Sequence, residues 1–281
     1  MEGSPEDGLT AFVCATCGAQ YAPAAAPPAA CAICADERQY VGWDGQQWTT
    51  LAELRADHRA DVRAEEPGLT GIGSAPGFAI GQRALLVETA EGNLLWDCLA
   101  PFDDEVVEAV RARGGIDAIA ISHPHYYTTM VDWSRAFDAP IHLPAADREW
   151  VTRPDAAIEF FDGERLDLFG GLTLLRLGGH FAGGAVLHSP AGADGRGVLL
   201  SGDILQVVAD RRWVSFMRSY PNLIPLPAAK VEAMVAALEP WEFDRIYGAW
   251  FGKVVDSDAH DAVRRSAERY VRAVTEGFGE N

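Results

Sequence analysis

Four of the five cysteines of this 281-residue chain fall as Cys14-x2-Cys17 and Cys31-x2-Cys34, two knuckles separated by 13 residues. Each C-x-x-C turn can aim both of its sulfurs at one ion. Gly18 relaxes the tight backbone after the first pair, and thiolates are soft ligands that suit zinc in a reducing compartment. The spacing predicts a closed, tetrahedral, structural zinc site of Cys14, Cys17, Cys31 and Cys34, with iron in the same four sulfurs as the open alternative. Two disulfides would need an oxidising compartment, and the acidic opening Met1 to Gly8 has neither the basic head nor the apolar core of a secretory signal. A redox dithiol would need a strand-to-helix setting that these knuckles lack. Cys98 stands alone in the apolar run Leu94 to Cys98 and reads as a small buried hydrophobe.

A second set of metal-type residues lies at the ends of apolar runs. Ile116 to Ile121 is followed by Ser122-His123-Pro124-His125-Tyr126-Tyr127, Leu172 to Leu177 by Gly178-Gly179-His180-Phe181, and Val198 to Ser201 by Gly202-Asp203. A His-x-His pair leaving a strand sends alternate side chains the same way, so both imidazoles can reach one ion. The C-terminal ends of strands are also where layered α/β scaffolds present ligands to a crevice. The other histidines carry no such spacing: His142 and His188 fall within strands as core groups, and His58 and His260 fall in charged, solvated stretches.

These residues need a scaffold, and the chain supplies one. Ile80 to Glu88 and Asn93 to Asp97 read as a hairpin across Gly92. Asp103 to Arg113 reads as a helix, with an acidic first turn, a basic last turn and a Gly114-Gly115 stop. A strand over 116–121, a helix over 129–137 and strands near 140–143, 158–161, 172–177, 185–188 and 197–201 follow. A helix over 228–238, a strand over 245–247 and a closing helix over 258–275 complete the pattern. The mixture predicts an α/β domain of two sheets between helices. The stretch from Gln46 to Ser74 turns polar, and Glu65-Glu66-Pro67-Gly68 reads as a soft boundary at or just after the end of a small N-terminal unit. With 41 acidic against 23 basic residues the chain carries −18, which disfavours nucleic acid and anionic membrane as partners. No run is long and apolar enough to span a bilayer.

The histidine constellation resembles the metallo-β-lactamase-fold superfamily from about Phe78 to the C-terminus, preceded by a zinc-ribbon or rubredoxin-like knuckle. In that superfamily a strand ends in H-x-H-x-D-H, a glycine-flanked His follows, then a Gly-Asp aspartate that bridges two metals, then a last His. The resemblance implies His123 and His125 as the opening pair, His180 as the third ligand and Asp203 as the bridging aspartate. Asp97 resembles the early strand-end aspartate. Tyr127 and Thr128 stand where the motif's Asp and second His would be, and Ala249 or Trp250 stands in place of the last His. Three of the four groups of a second metal site are therefore replaced, which implies a mononuclear centre of His123, His125 and His180 with Asp203. The implied fold is an αββα sandwich over 51–281, with a four-cysteine knuckle and linker over 1–50.

Three activities fit such a centre. Zinc on three neutral imidazoles lowers the pKa of its bound water to about 7, so that hydroxide can attack the carbonyl of an ester, lactone, amide or thioester while Asp203 orients that water or takes its proton. Iron on two His and Asp203 approaches a non-heme oxygenase site, as in the persulfide dioxygenases of the same superfamily. A closed or empty site would make a non-catalytic binding protein. Tyr126, Tyr127 and Trp250 occupy the vacated second-metal side, where they either wall an apolar or aromatic substrate or plug an unused hole. Arg211, Arg212 and Arg218 lie among aromatics between Asp210 and Asn222, and the resemblance places this segment beside the metal. Arg218 and Tyr220 are thus the expected contacts for a small, aromatic or carboxylate-bearing substrate, with pairing to the chain's own acids as the alternative. The expected protein is cytoplasmic, takes a small-molecule substrate, binds neither nucleic acid nor membrane, and leaves a homodimer open.

Overall fold

The computed structural model describes residues 8–276; the acidic opening up to Asp7 lies outside the described residues, as do residues 277–281. A two-stranded ribbon of β1 (Val13–Cys14) and β2 (Trp48–Thr49) closes the cysteine knuckle. Helix α1 (Leu51–Asp57) leads out of it. It starts at a capping box, in which Thr50 Oγ1 accepts from Glu53 N at 3.2 Å and Glu53 Oε2 accepts from Thr50 N at 2.9 Å.

The first sheet runs in spatial order β3 (Arg59–Glu66), β4 (Leu69–Ala75), β5 (Ala84–Thr89), β6 (Gly92–Trp96), β7 (Ala118–Ala120), β8 (Ile141–Pro144) and β9 (Ile158–Phe161). It is an antiparallel meander as far as β6. From β6 to β9 it is parallel, because α2 (Asp104–Arg111) and α3 (Met130–Phe137) carry the chain back between strands. The second sheet begins with β10 (Arg165–Asp167), β11 (Thr173–Arg176) and β12 (Ala185–Ser189). After the single turn α4 (Gly192–Gly195) comes β13 (Val198–Gly202). Two short ribbons interrupt it: β14 (Gln206–Val207) pairs β15 (Val214–Ser215), and β16 (Met217–Ser219) pairs β17 (Ile224–Pro225). Helix α5 (Ala228–Leu238) returns the chain to β18 (Arg245–Gly248), parallel to β13, and β19 (Val254–Val255) forms the edge before α6 (Ala259–Thr275).

Alternation along the strands sorts the layers. Leu85 and Val87, Leu94 and Trp96, and Ala118 and Ala120 point inward to meet Leu174, Leu187, Val198 and Leu200 of the second sheet. Their neighbours Leu86, Leu95 and Ile119 point outward beneath Val106, Val110, Val131 and Trp133 of α2 and α3. On the far side Val186, Leu199 and Ile246 pack under Val231 and Met234 of α5 and Val263 and Ala267 of α6. The four layers are helix, sheet, sheet and helix, the predicted αββα sandwich.

The predicted strands and helices from Ile80 onward form within a few residues of their expected places. The predicted soft boundary at Glu65 to Gly68 is corrected. Glu65 and Glu66 end β3, Pro67-Gly68 turns the chain into β4, and the two strands pair Ala64 with Thr70 and Arg59 with Ala75, so residues 59–75 are the outer hairpin of the first sheet. Cys98 is fully buried in the core beside Leu99. Among the described residues no helix is long and apolar enough to cross a membrane.

Candidate metal centres

The two knuckles bring Cys14, Cys17, Cys31 and Cys34 together with their sulfurs within 4.8 Å of one another. Sγ of Cys14 lies 3.6 Å from that of Cys34, and Cys17 the same distance from Cys31. Metal–sulfur bonds of about 2.3 Å in a tetrahedron put sulfurs about 3.8 Å apart, so the pocket already has the size of an ion. All four thiols are free and buried. Contact among them pulls Cys14 far below the usual thiol range and pushes Cys17 above it, the mark of sulfurs crowded around negative charge. Gln46 reinforces the cluster: Nε2 donates to Cys14 Sγ at 3.2 Å while Oε1 accepts from Cys31 N at 3.1 Å. The donor set fits a tetrahedral soft metal.

The second cluster forms on the rim between the sheets. His123 follows β7, His125 sits in the 3-10 turn Pro124–Tyr126, His180 follows β11, and Asp203 follows β13. One donor atom from each lies within 4.8 Å of the others, and all four residues are at most 5% exposed. Nδ1 of His123 faces Ser122 Oγ at 2.9 Å and Nδ1 of His180 faces the Met217 carbonyl at 3.2 Å. These contacts leave both Nε2 atoms for the interior. There His180 Nε2 is 3.2 Å from His125 Nδ1, and His123 Nε2 is 3.1 Å from Asp203 Oδ1. The latter pair is close but misaligned, so both atoms remain buried without a hydrogen-bond partner. Burial drives His123 and His125 well below the usual imidazole range and His180 down to about 4, leaving three neutral rings with lone pairs to offer. Burial also lifts Asp203 to about 7, so this carboxylate lacks an opposite charge that a cation would provide. Unpartnered atoms, neutral imidazoles and a stranded carboxylate fit one divalent ion.

Supporting groups hold this rim in place. Asp97, at φ 62°, accepts from Ser122 N through Oδ1 at 2.7 Å, and its burial lifts it to about 8. Ser122 in turn meets His123, so Asp97 aims the first ligand through one residue. Gly202 has φ +52°, and a Cβ there would come within 2.8 Å of Ser122 Oγ, which explains the glycine before Asp203.

The expected substrate contacts separate. The ring of Tyr126 lies 4.6 Å from His123, and its hydroxyl has no partner. Tyr127 is equally buried in the outer core, its hydroxyl also unpartnered, within the influence of the Asp147 charge. Trp250 packs against the same core and donates from Nε1 to the Ile80 carbonyl at 2.8 Å. Tyr220 stands with its ring 5.8 Å from His180, while its hydroxyl ties to the carbonyls of Asp203 and Ser215 at 2.9 and 3.0 Å. Arg218 lies near enough to His180 for its charge to act on that ring, while its Nε pairs with Glu37 of the knuckle at 2.5 Å, a partly exposed ion pair that matches the alternative of pairing with the chain's own acids. Docking of the knuckle supplies an acid that the sequence alone did not place there. Arg38, unmarked by any motif, stacks 4.3 Å over Phe181. Phe181 in turn lies within 5.5 Å of all three histidine rings.

The sequence matches no family model. It is 52% identical over 265 residues to the uncharacterized protein YmaE of Bacillus subtilis (strain 168), covering 94% of this chain and 96% of that protein. Among solved structures, the metallo-β-lactamase DIM-1 superposes with a TM-score of 0.58 at 14% identity, covering 77% of this chain and 99% of that one. The metallo-β-lactamase FIM-1 of Pseudomonas aeruginosa, in its mono-zinc form, gives 0.55 at 17% identity over 75% of this chain and 96% of its own. The chain therefore belongs to one family with YmaE, built on the metallo-β-lactamase fold behind a four-cysteine knuckle.

Proposed function

We propose that the protein is a single-metal hydrolase acting on a small ester, lactone, amide or thioester, with a structural ion in the cysteine knuckle. The observation that carries this reading is the convergence of three neutral imidazoles and one unpaired carboxylate on the rim of the fold. His123 and His180 would hold the ion through Nε2 and His125 through Nδ1. When bound, the ion supplies Lewis acidity and a water of lowered pKa. Asp203, whose Oδ1 is 3.1 Å from His123 Nε2, would orient that water or accept its proton. Tyr127 and Thr128 argue for one ion, since a phenol and a neutral hydroxyl are poor donors beside carboxylate and imidazole. Zinc suits both donor sets. Four thiolates and the acidic surface favour the cytosol and a small-molecule substrate over nucleic acid.

Elemental analysis of protein purified without added metal, paired with a hydrolysis panel over the four bond classes, tests the reading. Two zinc ions per chain and turnover of one class are expected. A second ion beside Asp203 would overturn the single-metal assignment. Iron in the histidine cluster with dioxygen uptake would make the protein an oxygenase, and an inert cluster would make it a binding protein.

A further inference from the structure

The cysteine knuckle does more than fold a terminus. Its segment Asp36 to Gln39 lies against the loop that follows Asp203, and the contacts are specific. Asn222 Nδ2 donates to the carbonyls of both Glu37 and Gln39 at 2.9 Å, and Ser219 Oγ donates to the carbonyl of Arg38 at 3.1 Å. The same loop presents the Met217 carbonyl to His180. The Arg38 backbone is therefore fixed to the element that orients a metal-type ligand. Its side chain is only 13% exposed, with the guanidinium 4.3 Å over Phe181 and 5.3 Å over Trp150.

A guanidinium used only to dock the knuckle would have its donors satisfied. Arg38 does not. Nη1 donates to Asp36 Oδ1 at 3.0 Å, while Nε is buried without a partner. The edge that includes Nε is the one that pairs in bidentate fashion with a carboxylate. Glu37, the adjacent acid, is paired with Arg218 and bears on Arg38 only through its charge, leaving Nε without a partner. Asp147 lies within reach of the Arg38 charge, but its Oδ1 accepts from Gly183 N at 2.7 Å and its Oδ2 has no hydrogen-bond partner. Asp36 pairs with one end of this desolvated cation, and the unpartnered Nε is left for a further acceptor.

We propose that Arg38, carried on the cysteine knuckle, is the specificity residue of the histidine centre and binds a carboxylate on the substrate. The inference rests on the hydrolase reading for the word substrate, and it deepens that reading to carboxylate-bearing acyl compounds. The knuckle thereby contributes a recognition group to the site. Arg218 instead braces the knuckle through Glu37.

Binding of benzoate and of its neutral isostere benzamide to the metal-replete full chain, measured by calorimetry, tests this. Wild type should bind benzoate at least tenfold more tightly than benzamide. Arg38→Gln should weaken benzoate at least tenfold and change benzamide less than twofold, with the metal content of both clusters unchanged. Arg38→Lys keeps the charge but loses the fork, and should weaken benzoate at least threefold; it decides the matter if the Gln variant fails to fold. Equal loss for both probes, no loss for either, or benzoate held by the ion alone and indifferent to Arg38 would overturn the proposal. Arg38-dependent benzoate binding without hydrolysis of any bond class would keep this inference and defeat the hydrolase reading. Hydrolysis with Arg38-independent binding would do the reverse.

Discussion

The protein holds two four-donor clusters of similar compactness, and they differ in how their surroundings treat them. Around the cysteines one glutamine side chain braces the cluster, donating to Cys14 Sγ and accepting from the Cys31 backbone. Four equivalent soft donors close a tetrahedron and leave no position for another ligand. Around the histidines the donors are mixed, and unpartnered atoms occur both on the donors His123 and Asp203 and on the neighbours Tyr126 and Arg38. Buried polar groups without partners are costly, and they concentrate where a further molecule is meant to bind. One cluster is finished by the protein, and the other awaits something from outside.

That contrast can be broken most directly by removing one donor from each cluster. His180→Ala should strip the histidine cluster of metal and reduce turnover to background, while elemental analysis still finds one ion on the cysteines. Cys17→Ala should do the opposite to the metal count and, because the knuckle carries Arg38, also raise protease sensitivity around residues 36–39. Loss of both ions in either variant would show that the clusters are one cooperative unit.

A smaller effect, outside both clusters, is read by pH. Burial lifts Asp147 to about 6, which favours the protonated form in the folded protein. The stabilisation is complete below the unfolded carboxylate value near 4 and is lost as pH rises through about 6. Asp147→Asn should therefore be more stable than wild type at pH 8, by at most about 3 kcal/mol, and equal to it at pH 3.5. Urea unfolding at the two pH values checks this, and a gain that is the same at both would refute the assignment. Weaker still, Asp97→Asn should lower metal affinity of the histidine cluster by about 10- to 100-fold through Ser122 and His123, leaving the cysteine ion untouched. At the bottom of the scale, Gln46→Ala should weaken the cysteine ion by about tenfold or less without altering the histidine ion, as read by chelator competition.

The clusters also differ in how visible they are in the sequence. The cysteine site is legible because its four ligands lie within one short stretch and the C-x-x-C turn is itself the geometry. The histidine ligands are spread from His123 to Asp203, yet each follows an apolar strand, so the fold assembles them wherever those strands pair. Two further features had local signals that polarity masked. Thr50-Leu51-Ala52-Glu53 is a capping box that announces α1, and Pro67-Gly68 is a hairpin turn. The β3 strand reads as a linker only because much of that outermost strand is left exposed to solvent. Arg38 had no signal at all. Its position depends on knuckle residues meeting a loop 181 residues away, as Glu37 meets Arg218, and no periodicity encodes such a contact.

That separation also sets an order of assembly. The cysteine cluster lies N-terminal to the sandwich within one short stretch of chain, so it can close on an ion locally. Its seat on the loop Met217 to Asn222 exists only after most of the sandwich has been made, because that loop hangs from β13 and pairs back through β16 and β17. A knuckle closed on its own cysteines can therefore dock as a unit once that loop is formed, and only then would residues 36–39 lie against the loop beside the histidine cluster.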